Sequence, residues 1–299
     1  MKRALALACG TAVLASAGAA GAFVRTTTDK GAAVRWPRSC VVLVAHTGNP
    51  PPNLTPEMAV TAARAAAATW SGGSVTCPTQ PPTSTGFDLQ IAVEDTADAA
   101  AANDNKNNMV FRRSAWPYEP SALAITTVFA RQDTGVVLDA DVELNAVDGG
   151  RFKWGDLVAG IGTGTHVEDL QNTLTHEFGH LLGLDHNCFL AGASRHGLDN
   201  NGNPVPDCER ASAEIQDATM FAAVAPGDTL RRTLTPDDMA GVCAVYPAES
   251  ATSCTDDGLA GGCAVGRGGT SGAGLALAAG LLGVLGLSAV SRRRWRRRG

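Results

Sequence analysis

One stretch of the chain, residues 175–186, constrains the fold most, because it places three histidines and one glutamate at fixed spacings. On a helix, His176 and His180 lie on one face, one turn apart. Gly183 is where such a helix ends, since glycine tolerates the left-handed backbone of a helix C-terminus. The chain then turns and brings His186 back towards the first two imidazoles. We therefore predict a helix and a tight turn, with three imidazole rings meeting at one point.

These imidazoles suit a zinc ion that keeps one open coordination position. Structural zinc sites have four protein ligands, whereas catalytic sites have three and leave the fourth position to water. We expect His176, His180 and His186 to hold one zinc ion. Glu177 follows the first of them, so its carboxylate can reach a water at the fourth position and act as a general base. Cysteine ligation is not expected, because the sequence contains no Cys-x-x-Cys pair.

Both ends of the chain predict export. Residues 1–22 have a basic start, an apolar run and a small-residue end, which is typical of a signal peptide cleaved before Phe23. Residues 272–291 carry no charge and are long enough to cross a hydrocarbon core of roughly 30 Å. The arginine cluster at residues 292–299 predicts a cytoplasmic end, with the bulk of the chain outside. We expect a protein at the cell surface, held in the membrane or released after processing.

Residues 248–271 are small and polar, and we predict a linker that contains Gly262-Cys263. This pair, the apolar segment and the arginine cluster together resemble the C-terminal sorting signals of myxobacterial surface proteins. The resemblance implies that Cys263 is the processing and anchoring position and that the span is transient. The alternative is a permanent membrane anchor.

The charge of the predicted exterior part differs from that of the whole chain. The sequence has 24 basic and 29 acidic residues, a net charge of −5. Without two basic residues of the leader and seven of the tail, 15 basic residues remain against the 29 acidic ones, which gives −14 for residues 23–262. Such a surface repels nucleic acid, so we expect protein or peptide partners and no nucleic acid.

Six cysteines lie in this exterior part, and an even number predicts disulfides in an exported protein. Six cysteines allow fifteen pairings. We favour the pairs that each close a local loop, namely Cys40–Cys77, Cys188–Cys208 and Cys243–Cys254.

Local patterns divide the exterior part into a short mobile lead, residues 23–35, and one domain, residues 36–247, long enough for a single core. Helices are predicted from capping residues and from the histidine motif, and strands from apolar or alternating runs. The predicted helices cover residues 55–70, 167–182 and 235–246. The predicted strands cover residues 40–45, 87–93, 122–130 and 136–144.

The last predicted strand carries Asp139, Asp141 and Glu143 on one face. Acids that alternate along a strand usually lie on the solvent face, and that is our prediction. The alternative is that they bind calcium.

A second calcium candidate lies in the loop between Cys188 and Cys208. Residues 199–203 resemble the start of a calcium-binding loop, with Asp199, Asn201 and Asn203 as oxygen donors. The twelfth position of such a loop is Arg210 and not the usual glutamate, so a polar turn is the favoured alternative.

Three histidines, His46, His166 and His196, lie outside the motif. Each is a candidate ligand for a second, structural zinc ion. The favoured alternative is an ordinary surface or capping histidine.

Residues 176–186 carry the extended zinc motif of the metzincin proteases, and the chain resembles the matrixin family, the relatives of the matrix metalloproteinases. A metzincin has a tight turn with a methionine downstream of the motif, and residues 218–221 fit it, with Met220 beneath the zinc. The resemblance covers residues 36–247. It includes a strand at the substrate cleft, the lead into the zinc helix and the final helix, at residues 138–145, 169–175 and 235–246.

The resemblance implies an α+β fold with a twisted mixed sheet, a zinc-binding helix and a C-terminal helix after the methionine turn. It also implies that a peptide substrate lies antiparallel to the strand at residues 138–145. Ala222 stands where some metzincins have a tyrosine ligand, so no tyrosine is expected on the metal. The residues expected to line the cleft are Asp141, Glu143, Asn145, Phe221 and Pro226.

These features favour an exported zinc-dependent endopeptidase that hydrolyses peptide bonds of extracellular proteins. Glu177 would activate the attacking water and pass its proton to the leaving amine. The alternative is a catalytically inactive surface adhesion or binding module on the same scaffold. All three ligands and the glutamate are present, which favours the enzyme.

Overall fold

The computed structural model describes residues 22–96, 101–162, 167–192 and 197–252, and the backbone of residues 280–285 and 288–289. Almost all of the predicted signal peptide, most of the linker and the arginine cluster lie outside these residues. The same holds for Cys254, Cys263, His166 and His196, whose roles stay predictions.

The described strands are, in chain order, β1 (Val24–Arg25), β2 (Cys40–His46), β3 (Thr76–Cys77), β4 (Thr83–Ser84), β5 (Asp88–Glu94), β6 (Asn108–Arg112), β7 (Ala124–Ala130), β8 (Val137–Asn145), β9 (Lys153–Gly155), β10 (Val167–Asp169), β11 (Leu184–Asp185), β12 (Ala223–Val224), β13 (Gly280–Leu285) and β14 (Ser288–Ala289). The helices are α1 (Pro56–Trp70), α2 (Leu170–Leu181), α3 (Ala213–Asp217) and α4 (Pro236–Val245). Short 3-10 turns cover Cys208–Arg210, Leu230–Arg232 and Ala248–Ser250.

Six strands form one mixed sheet in the spatial order β13-β7-β8-β6-β2-β5. Strands β8, β6, β2 and β5 run parallel to one another, while β7 is antiparallel to β8 and β13 is antiparallel to β7. Helices α1 and α2 pack together, α1 against β5 and α2 against β7, and most of the apolar core lies between the helices and the sheet. The class is therefore a mixed α+β fold, as predicted.

Helix α1 begins where Thr55 caps it, because the threonine hydroxyl accepts a hydrogen bond from the Met58 amide at 3.3 Å. Its buried face consists of alanines and ends at Trp70. Small side chains let α1 lie close to α2, and the Trp70 indole donates a hydrogen bond to the Thr175 carbonyl at 2.7 Å. Helix α1 therefore supports the helix that carries the histidine motif.

Helix α2 lies where the histidine motif predicts it, between α1 and β7. Asp169 caps its N-terminus by accepting a hydrogen bond from the Asn172 amide at 2.9 Å. The Arg232 guanidinium donates to both oxygens of that carboxylate, at 2.8 and 2.6 Å. The apolar side chains Leu174 and Phe178 are fully buried. The cap and the apolar face together fix the helix in position and rotation.

The lead at residues 23–35 packs against the domain, which differs from the mobile segment predicted. Strand β1 pairs with β11, and the Thr26 amide donates to the Gly183 carbonyl at 2.9 Å. A Cβ on Gly183 would lie 2.4 Å from the carbonyl oxygen of the fully buried Val34. Gly183 also has a φ of +97°, so both the turn and the packed lead require glycine. Local patterning misses this packing because the partners are distant in sequence.

Two disulfides join described residues, Cys77–Cys243 and Cys188–Cys208. The second confirms the prediction. The first shows that the predicted pairs Cys40–Cys77 and Cys243–Cys254 are wrong, because α4 packs against β3 and brings together cysteines 166 positions apart. Cys40 is also disulfide-bonded. Closure of short loops was therefore a poor guide to the long-range bridge.

The acids of β8 are buried, so the predicted solvent face is wrong. Asp139, Asp141 and Glu143 are each 0 % exposed. Strand β8 has neighbours on both sides, and the loop at residues 101–108 together with Tyr118 covers the face that carries the acids. Alternation of polar and apolar residues therefore marks two buried faces on this strand.

The predicted membrane segment at residues 272–291 differs from a helix wherever the structure describes it. Residues Gly280–Leu285 and Ser288–Ala289 form strands β13 and β14. Within the described part of the chain, no helix combines the length and the apolarity that crossing a bilayer requires. The remaining residues of the segment lie outside the described ranges.

Candidate metal centre

Three histidine rings meet beside helix α2. His176 and His180 project from one face of the helix, and His186 follows the turn at Gly183 and strand β11. The three Nε2 atoms lie 3.1–3.2 Å from one another. The structure thus brings together the residues that the sequence predicts as metal ligands.

Backbone carbonyls orient two of the rings. The His176 Nδ1 atom lies 2.6 Å from the Thr219 carbonyl oxygen, and the His180 Nδ1 atom lies 3.0 Å from the Leu184 carbonyl oxygen. A carbonyl only accepts, so each Nδ1 carries the hydrogen and each Nε2 presents a lone pair. Burial lowers the pKa of His180 to about 4. Burial and the neighbouring histidines hold the pKa of His176 and His186 well below the usual value, so the rings are neutral and suited to bind metal.

The donor set fits zinc. Lone pairs that face one another across 3.1–3.2 Å repel unless a cation lies between them. Ligand nitrogens at about 2.0–2.1 Å from a tetrahedral zinc are about 3.3 Å apart, close to the spacing seen here. Imidazole also suits copper, iron and nickel, so the donors alone do not identify the metal. Among the described residues, these three histidines are the cluster of His, Cys, Asp or Glu side chains that could hold a metal ion.

Glu177 follows His176 on α2 and is fully buried. Its Oε2 atom accepts a hydrogen bond from the Thr126 hydroxyl at 2.7 Å, and that hydroxyl also lies 3.1 Å from the Glu177 carbonyl oxygen. Because Thr126 belongs to β7, the sheet strand beside the helix orients the carboxylate. A carboxylate held in this way can accept a proton from a water in the site.

A turn at Thr219 and Met220 packs against the same helix. Both amides donate to the Asp238 carboxylate, at 2.9 Å from Thr219 and 3.2 Å from Met220. The same carboxylate caps α4 by accepting from the amide and hydroxyl of Thr235. A Cβ on Gly179 would lie 2.2 Å from the Met220 sulfur. Because Gly179 lies between the two histidines of α2, the methionine packs directly against the ligand-bearing turn.

The segment after the methionine forms β12 and is held by Arg231, which is 3 % exposed. Its guanidinium donates to the Ala223 carbonyl at 2.7 Å and lies 5.6 Å from the centre of the Phe221 ring. Phe221 and Ala222 pack in a small core with the Cys188–Cys208 disulfide. Pro226 is half-buried beyond β12. Phe221 and Pro226 thus flank the strand that follows the methionine turn.

The other predicted cleft residues belong to β8, which does not lie at an edge of the sheet. Asp141, Glu143 and Asn145 are buried and bonded to neighbouring segments. Strand β8 pairs with β7 on one side and β6 on the other, so no peptide can add to it. Strand β7, which lies between β8 and β13, contacts Glu177 through Thr126.

The other metal candidates that the structure describes, at residues 199–203 and His46, are bonded to protein groups. The Asp199 carboxylate accepts hydrogen bonds from the main-chain amides of Asn201 and Asn203, each at 2.8 Å, which favours the polar turn over a calcium loop. His46 is buried and not on the surface. Its ring nitrogens lie 2.6 Å from the Thr96 hydroxyl and 2.8 Å from the Asn108 side-chain oxygen. None of these groups joins the three-histidine centre.

Sequence reasoning missed three supporting residues, Thr126, Asp238 and Arg231. Thr126 sits in an apolar strand and Asp238 at a helix N-terminus, so each has an ordinary local explanation. Arg231 is buried near acidic residues in the structure, but nothing in the sequence distinguishes it from an arginine on the surface. Their contacts with the site join distant segments, and no local pattern marks such contacts.

Comparison with protein-family models gives no match for this sequence, and comparison with curated proteins gives none either. The fold and the site geometry therefore carry the functional argument. They define a mixed α+β protein in which three histidines, two of them buried, could hold a metal ion.

Proposed function

We propose that this chain is an exported zinc-dependent endopeptidase of the matrixin type. The observation that carries the proposal is the meeting of three Nε2 atoms within 3.2 Å, with Glu177 on the same helix. His176, His180 and His186 would hold the metal, which supplies a water of lowered pKa and polarises the scissile carbonyl. The packing of Met220 against α2 supports the resemblance to the metzincins.

Glu177 does the proton transfer in this proposal. Its carboxylate takes a proton from the attacking water and donates that proton to the leaving nitrogen. The hydroxyl of Thr126 donates to Oε2 and holds the carboxylate in one orientation. The tight ring positions, set by the carbonyls of Thr219 and Leu184, keep the ligands from turning away during this transfer.

We propose that a substrate peptide adds to the side of strand β7 that faces away from β8, which is a sheet edge when β13 is not paired there. An extended peptide can add to a sheet edge through its backbone groups, largely independently of its side chains. Because Thr126 contacts Glu177, a peptide on this edge passes the proton-transfer residue. We therefore propose protein or peptide substrates of extended conformation. The disulfides are compatible with an extracellular location, where we propose that these substrates lie.

Cleavage of an unfolded, cysteine-free protein by the zinc-loaded full chain tests the proposal. Wild type should cleave it, a chelator should stop the reaction, and added zinc should restore it. The variant Glu177→Ala should keep one zinc ion per chain and lose activity by about 10²–10⁴-fold, the usual contribution of a positioned acid–base group. Zinc content by mass spectrometry and cleavage rate are measured on the same samples.

Glu214→Ala is the matched control, since Glu214 is exposed on the short helix α3. It should retain wild-type activity. Cleavage that survives in Glu177→Ala would remove that residue from the mechanism. Stoichiometric zinc binding without cleavage of any unfolded protein would favour the inactive binding module.

A further inference from the structure

The C-terminal part of the chain lies along the free side of β7. Strand β13 is antiparallel to β7, with Gly280 opposite Ala130 and Leu285 opposite Thr126. Without β13, strand β7 would be the edge of the sheet. The register therefore brings the end of β13 to Thr126, the residue whose hydroxyl holds Glu177.

Strand β14 follows β13 after two residues and pairs with a different segment. Ser288 lies opposite Ala223 and Ala289 opposite Val224, in a parallel arrangement with β12. Strand β12 begins shortly after Met220, which packs against the ligand-bearing turn of α2. One stretch of chain thus pairs first with the strand on the Glu177 side and then with the strand on the methionine side.

We propose that β13 and β14 form an internal blocking segment that occupies the peptide cleft and keeps the full chain in a state of low activity. This inference rests on the proposed function, because it assigns the segment to the backbone edges that a substrate peptide would use. Two pairings of opposite sense carry it, antiparallel with β7 and parallel with β12. A single extended peptide that runs in one direction through the cleft satisfies both pairings.

Tethering makes this block effective even though its individual pairings are short. A segment joined to its own binding site competes at an effective concentration in the millimolar range, which a free substrate must exceed. The run that contains both strands is uncharged and apolar and is also the predicted membrane segment. Pairing in the cleft and insertion in a bilayer exclude one another, so departure of the segment from the cleft would open the site.

The variant Val284→Pro/Leu285→Pro tests the block in the full chain. In an antiparallel ladder, adjacent residues alternate in the side to which their amides point, so one of these two donates towards β7. Proline removes that donor and fixes φ, which breaks the pairing. The matched control is Leu275→Pro/Ala276→Pro, which makes the same kind of change in the same uncharged run, ahead of β13.

Two measurements are made on each zinc-loaded chain. Hydrogen exchange should show faster exchange of the β7 amides in Val284→Pro/Leu285→Pro, with protection of β2 unchanged as evidence of an intact fold. Cleavage of a short fluorogenic peptide should rise at least tenfold in this variant. A synthetic peptide of residues 280–294, which ends in arginines that aid solubility, should restore inhibition in competition with the substrate. The control should match wild type in every measurement.

The outcomes separate this inference from the proposed function. Faster β7 exchange with no cleavage by any chain supports the internal segment and counts against the peptidase. Cleavage by wild type, with β7 exchange and rate both unchanged in Val284→Pro/Leu285→Pro, overturns the block and leaves the peptidase standing. Equal acceleration in the control would also overturn it, because the effect would then not depend on the paired strand.

Discussion

Two sets of largely buried polar side chains in this domain differ in where their hydrogen-bond partners come from. The three-histidine centre beside α2 has carbonyl partners for the Nδ1 atoms of His176 and His180. The Nε2 atoms of all three rings face one another. Three donor atoms this close together could hold a metal ion between them.

The acids of β8 are just as buried, but the protein itself supplies their partners. The Asp139 and Asp141 carboxylates accept hydrogen bonds from main-chain amides of residues 101–108. Glu143 accepts hydrogen bonds from the Arg112 guanidinium and the Tyr118 hydroxyl. These donors and, for Glu143, the Arg112 cation offset part of the cost of burying each acid, although the pKa of Asp141 stays raised.

The difference teaches how to distinguish a ligand set from a structural polar row. The imidazoles of the histidine centre and the carboxylates of β8 each recur at short intervals in the sequence. Both sets are candidates for metal binding. Burial does not separate them, because His176 and His180 are as completely buried as the three acids. The source of the hydrogen-bond partners does separate them, and that source is visible only in three dimensions.

The largest expected effect comes from removing a partner of the acid row. Arg112→Ala leaves Glu143, which is 0 % exposed, without its guanidinium. Breaking a buried ion pair from one side usually costs about 3–5 kcal/mol, because a charge stays buried without compensation. Urea unfolding should show a loss near the lower end of that range, since the Tyr118 hydroxyl still donates.

Lys106→Ala is the matched control for Arg112→Ala. Lys106 pairs with Glu94 at 2.8 Å, but the two side chains are 41 % and 43 % exposed. An exposed pair contributes about 0.2–1 kcal/mol. Equal losses in the two variants would show that Arg112 does not compensate the buried charge of Glu143.

The second prediction distinguishes the three-histidine centre from the acids of β8 by their response to zinc. A ligand present at one hundred times its dissociation constant stabilises the folded state by about 2.7 kcal/mol. Wild type and Asp141→Asn should both gain this stability in zinc, whereas His180→Ala should lose most of the gain. Thermal unfolding with and without zinc measures it. A zinc gain that disappears in Asp141→Asn would place the ion at the acid row.

Local patterns predicted the elements that depend on nearby residues. The spacing of His176 and His180 and the stop at Gly183 are local features, and α2 forms where they predict it, although it begins at Leu170 and not at residue 167 because residues 167–169 form β10. The Cys188–Cys208 bridge was also predictable, because it closes a loop short enough to favour pairing.

What failed depends on partners far away in the chain. The burial of Asp141 depends on a loop that folds over β8, and Cys77 meets Cys243 only because α4 packs against β3. The substrate strand was assigned to residues 138–145 from their resemblance to a matrixin cleft strand, but β8 lies between β7 and β6 inside the sheet. Sheet order decides which strand is at the edge, and one sequence does not determine that order.

The smallest effect concerns the response of the acid row to pH. Burial, with repulsion from Asp139 and against hydrogen bonds from Asn108, raises the pKa of Asp141 to about 7. In the unfolded chain the pKa returns to about 3.9. The folded state therefore binds the proton more tightly. The resulting stability is fully present below a pH of about 4 and is lost as the pH rises through about 7.

Urea unfolding of wild type and Asp141→Asn at pH 5 and pH 7, both in chelator, tests this sign. The free energy of unfolding of wild type should fall relative to the variant as the pH rises, by at most about 1.4 kcal/mol per pH unit. Asp199→Asn is the control and should show no change between pH 5 and pH 7, since hydrogen bonds from Asn203 outweigh burial and lower the pKa of Asp199, so that its contribution changes only below a pH of about 4. A relative stability of Asp141→Asn that does not change with pH would mean that this carboxyl titrates in the folded state as it does in the unfolded chain. The loop amides would then compensate the charge of Asp141 completely. They would stabilise the carboxylate anion more strongly than its burial indicates.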